Sequence, residues 1–242
     1  MLTEEERLRY SRQISLFGED GQEKLKRTTA FVAGAGGLGS IVSLYLAAAG
    51  LGRIRIVDCD RVEVSNLNRQ VLHSSRDTGR SKAASAFEAL KEINPEIEVE
   101  ALEEKIDEES LESLLEGCDL IVDALDNFAT RYLLNDAAIR GCQPLFHGAI
   151  SGFQGQVTTV IPGRTACLRC IFPRPPPQLP PPALGSTCGI IGSIQATEAV
   201  KYVLGSGRLL ENRLLIWDGL SACLDEVVCE RDPSCPGCGR VS

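Results

Sequence analysis

A glycine cluster between a buried strand and an apolar helix constrains this chain more than any other feature. The apolar segment Thr29–Ala33 is typical of a strand, and it runs into Gly34-Ala35-Gly36-Gly37-Leu38-Gly39, which matches the pattern GxGxxG. A helix is predicted over residues 38–49. Glycines in such a turn let the backbone approach phosphate groups, whose charge the N-terminus of the helix stabilises. The cluster predicts nucleotide binding at Gly34, Gly36, Gly37 and Gly39, with a purely structural turn as the alternative.

Strands and helices alternate along the first part of the chain. Further buried strands are predicted at residues 54–58, 97–101, 120–124 and 145–147, and helices at 81–93, 108–115 and 131–139. This alternation predicts an α/β fold with a doubly wound, mostly parallel sheet of the Rossmann type. Polar and apolar residues alternate over residues 154–161, which predicts a half-exposed antiparallel strand that continues the sheet.

Composition and organisation limit the class of protein. The chain of 242 residues has 43% hydrophobic and 24% charged residues and a formal net charge of -8. This acidic balance argues against nucleic acid as a partner, and the longest apolar stretch, residues 41–51, is too short to span a membrane. The N-terminus lacks the pattern of a signal peptide, so we expect a cytoplasmic protein.

We also expect one domain over residues 1–242, because no repeat or strong linker divides the chain. Within it, a nucleotide-binding part is expected at about 28–150 and a second part at about 151–242.

Charged side chains follow two predicted strands at the edge that holds the glycine cluster. Asp58 ends one strand and can accept hydrogen bonds from a ribose. The segment from Arg61 to Lys82 carries five basic residues against two acidic ones, which suits a triphosphate better than the pyrophosphate of a dinucleotide. Asp126 follows another predicted strand, and a carboxylate at that position can hold Mg²⁺. Asp123, in the same segment, is instead read as a residue that ends the strand or caps the next helix. An NAD(P)- or flavin-dependent oxidoreductase remains the alternative that the glycine pattern alone allows.

Four of the ten cysteines form two CxxC pairs, Cys167 with Cys170 and Cys235 with Cys238. Two such pairs are typical of a tetrahedral Cys₄ zinc site, and a metal with four protein ligands has no open position for substrate. The sequence therefore predicts a structural zinc ion near the C-terminus. A redox-active CxxC motif is the alternative.

Several motifs in a fixed order resemble the ThiF/MoeB/HesA group, bacterial and archaeal relatives of the ubiquitin-activating enzymes. They are the glycine cluster, the run from residue 58 to 70, Lys82 in GRSKA, DALDN at 123–127, both CxxC pairs and GIIGSIQATEAVK at 189–201. The resemblance implies an ATP-dependent adenylyltransferase. Its substrate would be the C-terminal Gly-Gly carboxylate of a small ubiquitin-like sulfur-carrier protein, and its products an acyl-adenylate and pyrophosphate. The second part of the chain, at about 151–242, would then face the carrier and hold the zinc ion. A non-catalytic scaffold that binds the carrier is a further alternative.

The resemblance also implies roles for individual residues. Asp58 would bind the ribose of the nucleotide, Asp60 would be a further nucleotide-binding residue, and Asn66, Arg69 and Lys82 would contact phosphates. Asp126 would bind Mg²⁺. The group is further expected to form a homodimer in which Arg12 reaches the triphosphate held by the other protomer, with an ordinary ion pair on a helix face as the alternative. The implied catalytic set is Arg12, Arg69, Lys82 and Asp126.

One segment departs from the group. Its members often carry a cysteine linked to sulfur transfer in the loop before residue 189, whereas this chain has the proline-rich segment PRPPPQLPPP at 173–182, which predicts an extended polyproline-type crossover. Cys188 lies downstream of the expected position. We expect it to be a buried residue at a helix start, with a displaced nucleophile as the alternative. His73 and His147 are too few and too isolated along the chain to suggest a catalytic dyad, and His147, at a strand end, is expected to be a core or rim residue with its hydrogen bonds satisfied.

Overall fold

The described residues, 1–175 and 182–239 of a computed structural model, contain one mixed sheet flanked by helices. The strands are β1 (Thr29–Ala33), β2 (Arg53–Val57), β3 (Glu98–Leu102), β4 (Leu120–Asp123), β5 (Leu145–Ser151), β6 (Gln154–Val160), β7 (Arg213–Asp218) and β8 (Cys223–Val228). The helices are α1 (Glu4–Arg9), α2 (Ser11–Arg27), α3 (Gly37–Ala48), α4 (Lys82–Ile93), α5 (Leu111–Leu115), α6 (Phe128–Arg140), α7 (Leu168–Ile171) and α8 (Gly185–Leu204). Two short 3₁₀ turns lie at Val64–Asn66 and Ser75–Asp77.

The strand order confirms the predicted fold class. The strands lie in the order β3-β2-β1-β4-β5-β6-β7-β8, and the pairs from β3 to β5 are parallel. From β5 onward the pairs are antiparallel. The chain leaves β1 toward β2 on one side and later returns to β4 on the other, so the sheet has its topological switch point at β1.

Two apolar cores cover the two faces of the parallel sheet. Alternate residues of β1 point to opposite faces, so Val32 packs in the core with α3, α4 and α8, while Phe31 packs in the core with α5 and α6. All residues of β1 after Thr29 are buried, which explains its continuous apolar run. The doubly wound arrangement follows from burial of both faces.

The expected half-exposure of the strand over residues 154–161 holds for Gln154 and in part for Gln156, but it is wrong for the rest of the strand. This strand, β6, lies between β5 and β7 and is not at an edge. Thr158 and Thr159 are buried, and their hydroxyls donate to the carbonyl oxygen of Leu210 at 3.2 Å and to the carboxylate of Glu198 at 2.7 Å. These two threonines therefore find acceptors in a covered layer, as buried hydroxyls must.

The structure does not test two expectations from the sequence, the conformation of the proline-rich segment and the division of the chain into two parts. Residues 176–181 of the proline-rich segment are outside the described residues, so its extended conformation stays a prediction there. The division of the chain into a nucleotide-binding part and a second part also stays a prediction. Within residues 1–175 and 182–239, none of the helices has the length and apolar character needed to cross a bilayer.

The glycine turn requires glycine at its closest approach. Gly34 has a φ of +98°, in the left-handed region that favours glycine. A Cβ atom on Gly39, in the first turn of α3, would lie 1.9 Å from the carbonyl oxygen of Gly34. The strand and the helix can therefore meet at this angle only when residue 39 has no side chain.

We expect Gly39→Ala to destabilise the protein by about 2 kcal/mol or more, because the new methyl group overlaps backbone atoms that cannot move aside. Gly189→Ala is the matched control, since no atom lies within 4 Å of a Cβ at that helical position. The control should stabilise the protein by about 0.5–1 kcal/mol through helix propensity. Urea denaturation of both variants measures the difference, and equal stabilities would contradict this description of the turn.

Candidate functional site

The carboxyl ends of β1, β2 and β4 meet around the glycine turn. Parallel pairing places Ala33 of β1 opposite both Val57 of β2 and Asp123 of β4. The loops that leave these strands are therefore neighbours, and the carbonyl oxygen of Ala124 lies 3.1 Å from the position of a Cβ atom on Gly34. Ligands of open α/β sheets bind in the crevice at such a switch point.

Asp58 connects the end of β2 to the glycine turn. Its Oδ2 accepts a hydrogen bond from the backbone N–H of Ala35 at 2.8 Å, and its Oδ1 accepts from the N–H of Asp60 at 2.9 Å. Asp58, which the sequence predicts to bind a ribose, thus also fixes the conformation of the glycine turn. Hydrogen bonds from backbone amides to an ionised carboxylate are among the stronger ones in proteins.

Lys82 and Asp60 form an ion pair beside this turn. The Nζ of Lys82 lies 2.8 Å from Oδ2 of Asp60, and the side chains are 8% and 66% exposed respectively. The N–H of Lys82 also donates to the carbonyl oxygen of Asp60 at 3.0 Å. A buried ammonium group needs a counter-charge, and here the counter-charge is largely in solvent. A phosphate group can therefore share or replace Asp60 as the partner of Lys82.

Arg69 carries a positive charge that no carboxylate neutralises among residues 1–175 and 182–239. Its Nη1 donates to the carbonyl oxygen of Ser65 at 2.9 Å and to Oδ1 of Asn68 at 3.0 Å. Its Cγ lies 3.6 Å from the position of a Cβ atom on Gly37, so the side chain runs along the glycine turn. A guanidinium group held only by neutral acceptors remains available to an anion.

Asn66 is buried at the start of the same segment. Its Oδ1 accepts a hydrogen bond from the N–H of Glu63 at 3.1 Å, which shapes the 3₁₀ turn. The amide nitrogen has no hydrogen-bond partner within the part of the chain that the structure describes. That nitrogen is the group that Asn66 can offer to a phosphate.

Cys188 is buried in the first turn of α8, as the sequence predicts. Its Sγ lies 2.6 Å from the position of a Cβ atom on Gly37, so the thiol fills the space that a larger residue 37 would need. Burial raises the pKa of the Cys188 thiol, and the charge of Arg69 opposes this only in part. A neutral, enclosed thiol fits the packing role and not that of a displaced nucleophile.

A group of buried charges lies below the loop that carries Asp126. Asp123 is fully buried, and its Oδ2 lies 2.7 Å from Nδ1 of His147 and 3.4 Å from Nε of Arg131. Burial raises the pKa of Asp123, but Arg131 and His147 outweigh it and hold that pKa below its usual range. Burial lowers the pKa of His147, although Asp123 opposes the shift. The group therefore holds an ionised carboxylate, a guanidinium and a neutral imidazole.

His147 is a core residue, as the sequence predicts, and its Nδ1 is bound to Asp123. The buried group also explains how the next loop is held. Oδ1 of Asp123 accepts from the N–H of Leu125 at 3.1 Å, and Arg131 donates to the carbonyl oxygen of the same residue. Both sides of Leu125 are thus fixed by buried charges. Asp126, the next residue, is exposed and projects from a rigid support.

Within its own chain, Arg12 lies far from the other predicted site residues. It is exposed on α2, and the adjacent Gln13 donates to the carbonyl oxygen of Ala49 at 3.1 Å. Ala49 follows α3, whose 12 residues span about 18 Å from the glycine turn. The side chain of Arg12 has no ion-pair partner in the described ranges. It therefore lies free near the far end of α3.

The four paired cysteines form a compact cluster. The Sγ atoms of Cys167 and Cys235 are 3.6 Å apart, those of Cys170 and Cys238 are 3.4 Å apart, and all four lie within 4.8 Å of one another. Tetrahedral zinc with Zn–S bonds of about 2.3 Å requires sulfur atoms about 3.8 Å apart. Burial raises the pKa of Cys170 to about 11, so metal binding would release thiol protons. The residues fit a tetrahedral metal ion.

The sequence matches the ThiF family over residues 10–237. This chain belongs to the ThiF family. It is 45% identical over 250 aligned residues to a Thermus thermophilus protein named sulfur carrier protein adenylyltransferase, with 98% of this chain and 92% of that protein covered. It is 44% identical to the Haloferax volcanii SAMP-activating enzyme E1, with 96% and 88% covered.

A solved structure confirms the fold of this ThiF-family chain. The crystal structure of Escherichia coli MccB with succinimide superposes with a TM-score of 0.87 at 25% identity, and the match covers 95% of this chain and 73% of MccB. The resemblance drawn from the motifs is thereby confirmed at the level of family and fold. The roles of individual site residues stay predictions.

Proposed function

We propose that this ThiF-family chain is an ATP-dependent adenylyltransferase that acts on a small ubiquitin-like sulfur-carrier protein. It joins AMP to the carboxylate of the C-terminal glycine and releases pyrophosphate. The observation that carries the proposal is the gathering of Arg69, Lys82 and the loop of Asp126 around the glycine turn. The adenylyltransferase named from Thermus thermophilus, 45% identical over 98% of this chain, supports it.

The reaction needs positioning and charge neutralisation more than acid–base chemistry. The carboxylate oxygen of the carrier is already a nucleophile and attacks the α-phosphorus, while the bond to the bridging oxygen breaks and its electron pair leaves with pyrophosphate. No proton has to be removed, so the enclosed Asp123 and His147 are not required as a base. Cations and backbone donors near the departing phosphates are the groups that such a reaction requires.

Each proposed role matches the local chemistry of its residue. Arg69 and the buried Lys82 offer positive charge to the phosphates, and the N–H groups at the start of α3 offer hydrogen-bond donors beside the glycine turn. Asp126 offers an exposed carboxylate for Mg²⁺, which binds proteins through one or two carboxylates together with substrate phosphates. When bound, the ion neutralises charge on the pyrophosphate group.

We expect Asp126→Asn to reduce ATP- and carrier-dependent pyrophosphate exchange by about a hundredfold or more, because the metal loses its charged ligand. The matched control is Glu108→Gln, which also removes one exposed carboxylate at nearly constant size. The control should keep the rate within about twofold of wild type. Exchange in Asp126→Asn within about threefold of wild type would contradict the role of this residue.

We further propose that the active enzyme is a homodimer with composite sites. Arg12 is exposed near the far end of α3 from the glycine turn, so it cannot serve the site of its own chain without refolding of α2. A closed two-fold dimer would bring the same arginine of each protomer to the site of the other.

Heterodimers of Arg12→Ala and Asp126→Asn chains test this arrangement. Co-expression with two different affinity tags allows the mixed dimer to be purified. One of its two sites then has every group intact, so we expect about half of the wild-type exchange rate from two inactive parents. Arg27→Ala, another exposed arginine of α2, is the control and should leave homodimers active. Failure to recover a mixed dimer, or a mixed dimer as inactive as its parents, would contradict the composite site.

We propose that the cysteine cluster holds one structural zinc ion. Four protein ligands leave no open position, so the ion would join the C-terminal segment to the start of α7 and would take no part in catalysis.

We expect elemental analysis to find one zinc ion per chain, and Cys238→Ser to lose the ion and several degrees of thermal stability. Cys223→Ser replaces an exposed cysteine outside the cluster and should keep both. Zinc retained at full occupancy in Cys238→Ser would show that the cluster is not the binding site.

A further inference from the structure

The imidazole of His73 contacts the glycine turn directly. His73 is 7% exposed, and its Nε2 lies 2.9 Å from the carbonyl oxygen of Ala35, which is itself fully buried. On the other side of the same residue, Asp58 accepts from the N–H of Ala35 at 2.8 Å. Asp58 therefore holds the N–H of Ala35 and His73 holds its C=O, so both polar groups of this residue, which lies between Gly34 and Gly36, are bound by side chains.

The hydrogen bonds fix the tautomer of His73. A carbonyl oxygen can only accept, so the proton lies on Nε2, and Nδ1 accepts from the hydroxyl of Ser85 at 2.9 Å. Burial lowers the pKa of His73, and the nearby charge of Lys82 adds to this while the carbonyl oxygen of Ala35 opposes it. The neutral imidazole with one N–H is the form that the surroundings favour.

His73 links three elements of the candidate site. The glycine turn is held through Ala35, and α4 is held through Ser85, three residues after Lys82. The backbone N–H of His73 donates to the carbonyl oxygen of Gln70 at 3.0 Å, at the end of the segment that carries Arg69. The ring of His73 therefore connects the glycine turn to the helix that carries Lys82, and its backbone connects both to the segment that carries Arg69.

Only one other described side chain reaches the carbonyl oxygen of Ala35. The hydroxyl of Ser40 donates to it at 3.5 Å, which is long for a hydrogen bond. Without the imidazole this buried carbonyl oxygen would keep only that long contact, and rotation of the peptide plane toward a better donor would redirect the N–H of Gly36. That N–H belongs to the group that faces a bound phosphate at the start of α3.

We propose that His73 is a positioning residue that holds the glycine turn and α4 in the arrangement that receives the phosphates of ATP. It acts through Ala35 and Ser85 and does not itself contact the nucleotide. The proposal rests on the proposed function only in taking ATP as the ligand.

Calorimetric titration with ATP and Mg²⁺, without any carrier, tests the proposal separately from catalysis. His73→Leu keeps the bulk and removes both hydrogen bonds, so we expect the Kd for ATP to rise about tenfold, which corresponds to about 1.4 kcal/mol. His73→Gln can place an amide N–H near the position of Nε2 and an oxygen near Ser85, so its Kd should stay within about threefold of wild type.

Ser85→Ala provides a milder variant in case His73→Leu does not fold. It removes the hydroxyl that fixes the tautomer, and we expect a Kd about threefold above that of wild type.

A purely structural role of His73 would lower the melting temperature and the fraction of protein able to bind ATP, but the Kd of that fraction would stay unchanged. This result would overturn the proposal. An unchanged Kd in both His73→Leu and Ser85→Ala would do the same. Wild-type protein that binds ATP but supports no pyrophosphate exchange would contradict the proposed function alone.

Discussion

The geometry of the candidate site depends on carboxylates that bind backbone groups. Asp58 accepts from the N–H of Ala35 in the glycine turn, and Asp123 accepts from the N–H of Leu125 in the loop before α6. The carbonyl groups of the same two residues are bound by His73 and Arg131. Both loops at the switch point of the sheet are therefore held from two sides, and preorganised loops are what a reaction governed by positioning needs.

The charges of the site follow from this arrangement. Asp58 and Asp123 hold backbone groups, whereas Asp126 is exposed, and we propose it as the metal ligand. Lys82 is buried against a carboxylate that is mostly in solvent, and Arg69 has only neutral partners among the described residues. The edge thus combines positive charge with one exposed carboxylate, which is the combination that the proposed binding of a triphosphate with Mg²⁺ requires. Such a local concentration of positive charge is compatible with a formal net charge of -8 for the chain.

The sequence predicted those features that depend on local patterns. The strand–glycine–helix unit, the mostly parallel sheet and the pairing of CxxC motifs each follow from patterns along the chain, and the structure agrees with them. The contact of Asp123 with His147 was missed because it requires β4 and β5 to lie side by side in a register that places these two residues opposite each other. The burial of Thr159 was missed for a similar reason, since its acceptor, Glu198, lies on a distant helix. The position of Arg12 relative to the site also depends on packing between distant segments.

The most direct test of the account is a crystal structure of the protein with a non-hydrolysable ATP analogue and Mg²⁺. The account predicts a triphosphate at the start of α3, within hydrogen-bond distance of Arg69 and Lys82, with the metal ion on Asp126. The peptide groups of Ala35 and Leu125 should keep the hydrogen bonds that they make without nucleotide. A nucleotide bound away from the glycine turn, or one bound there only after these peptide groups have turned away from Asp58 and Asp123, would contradict it.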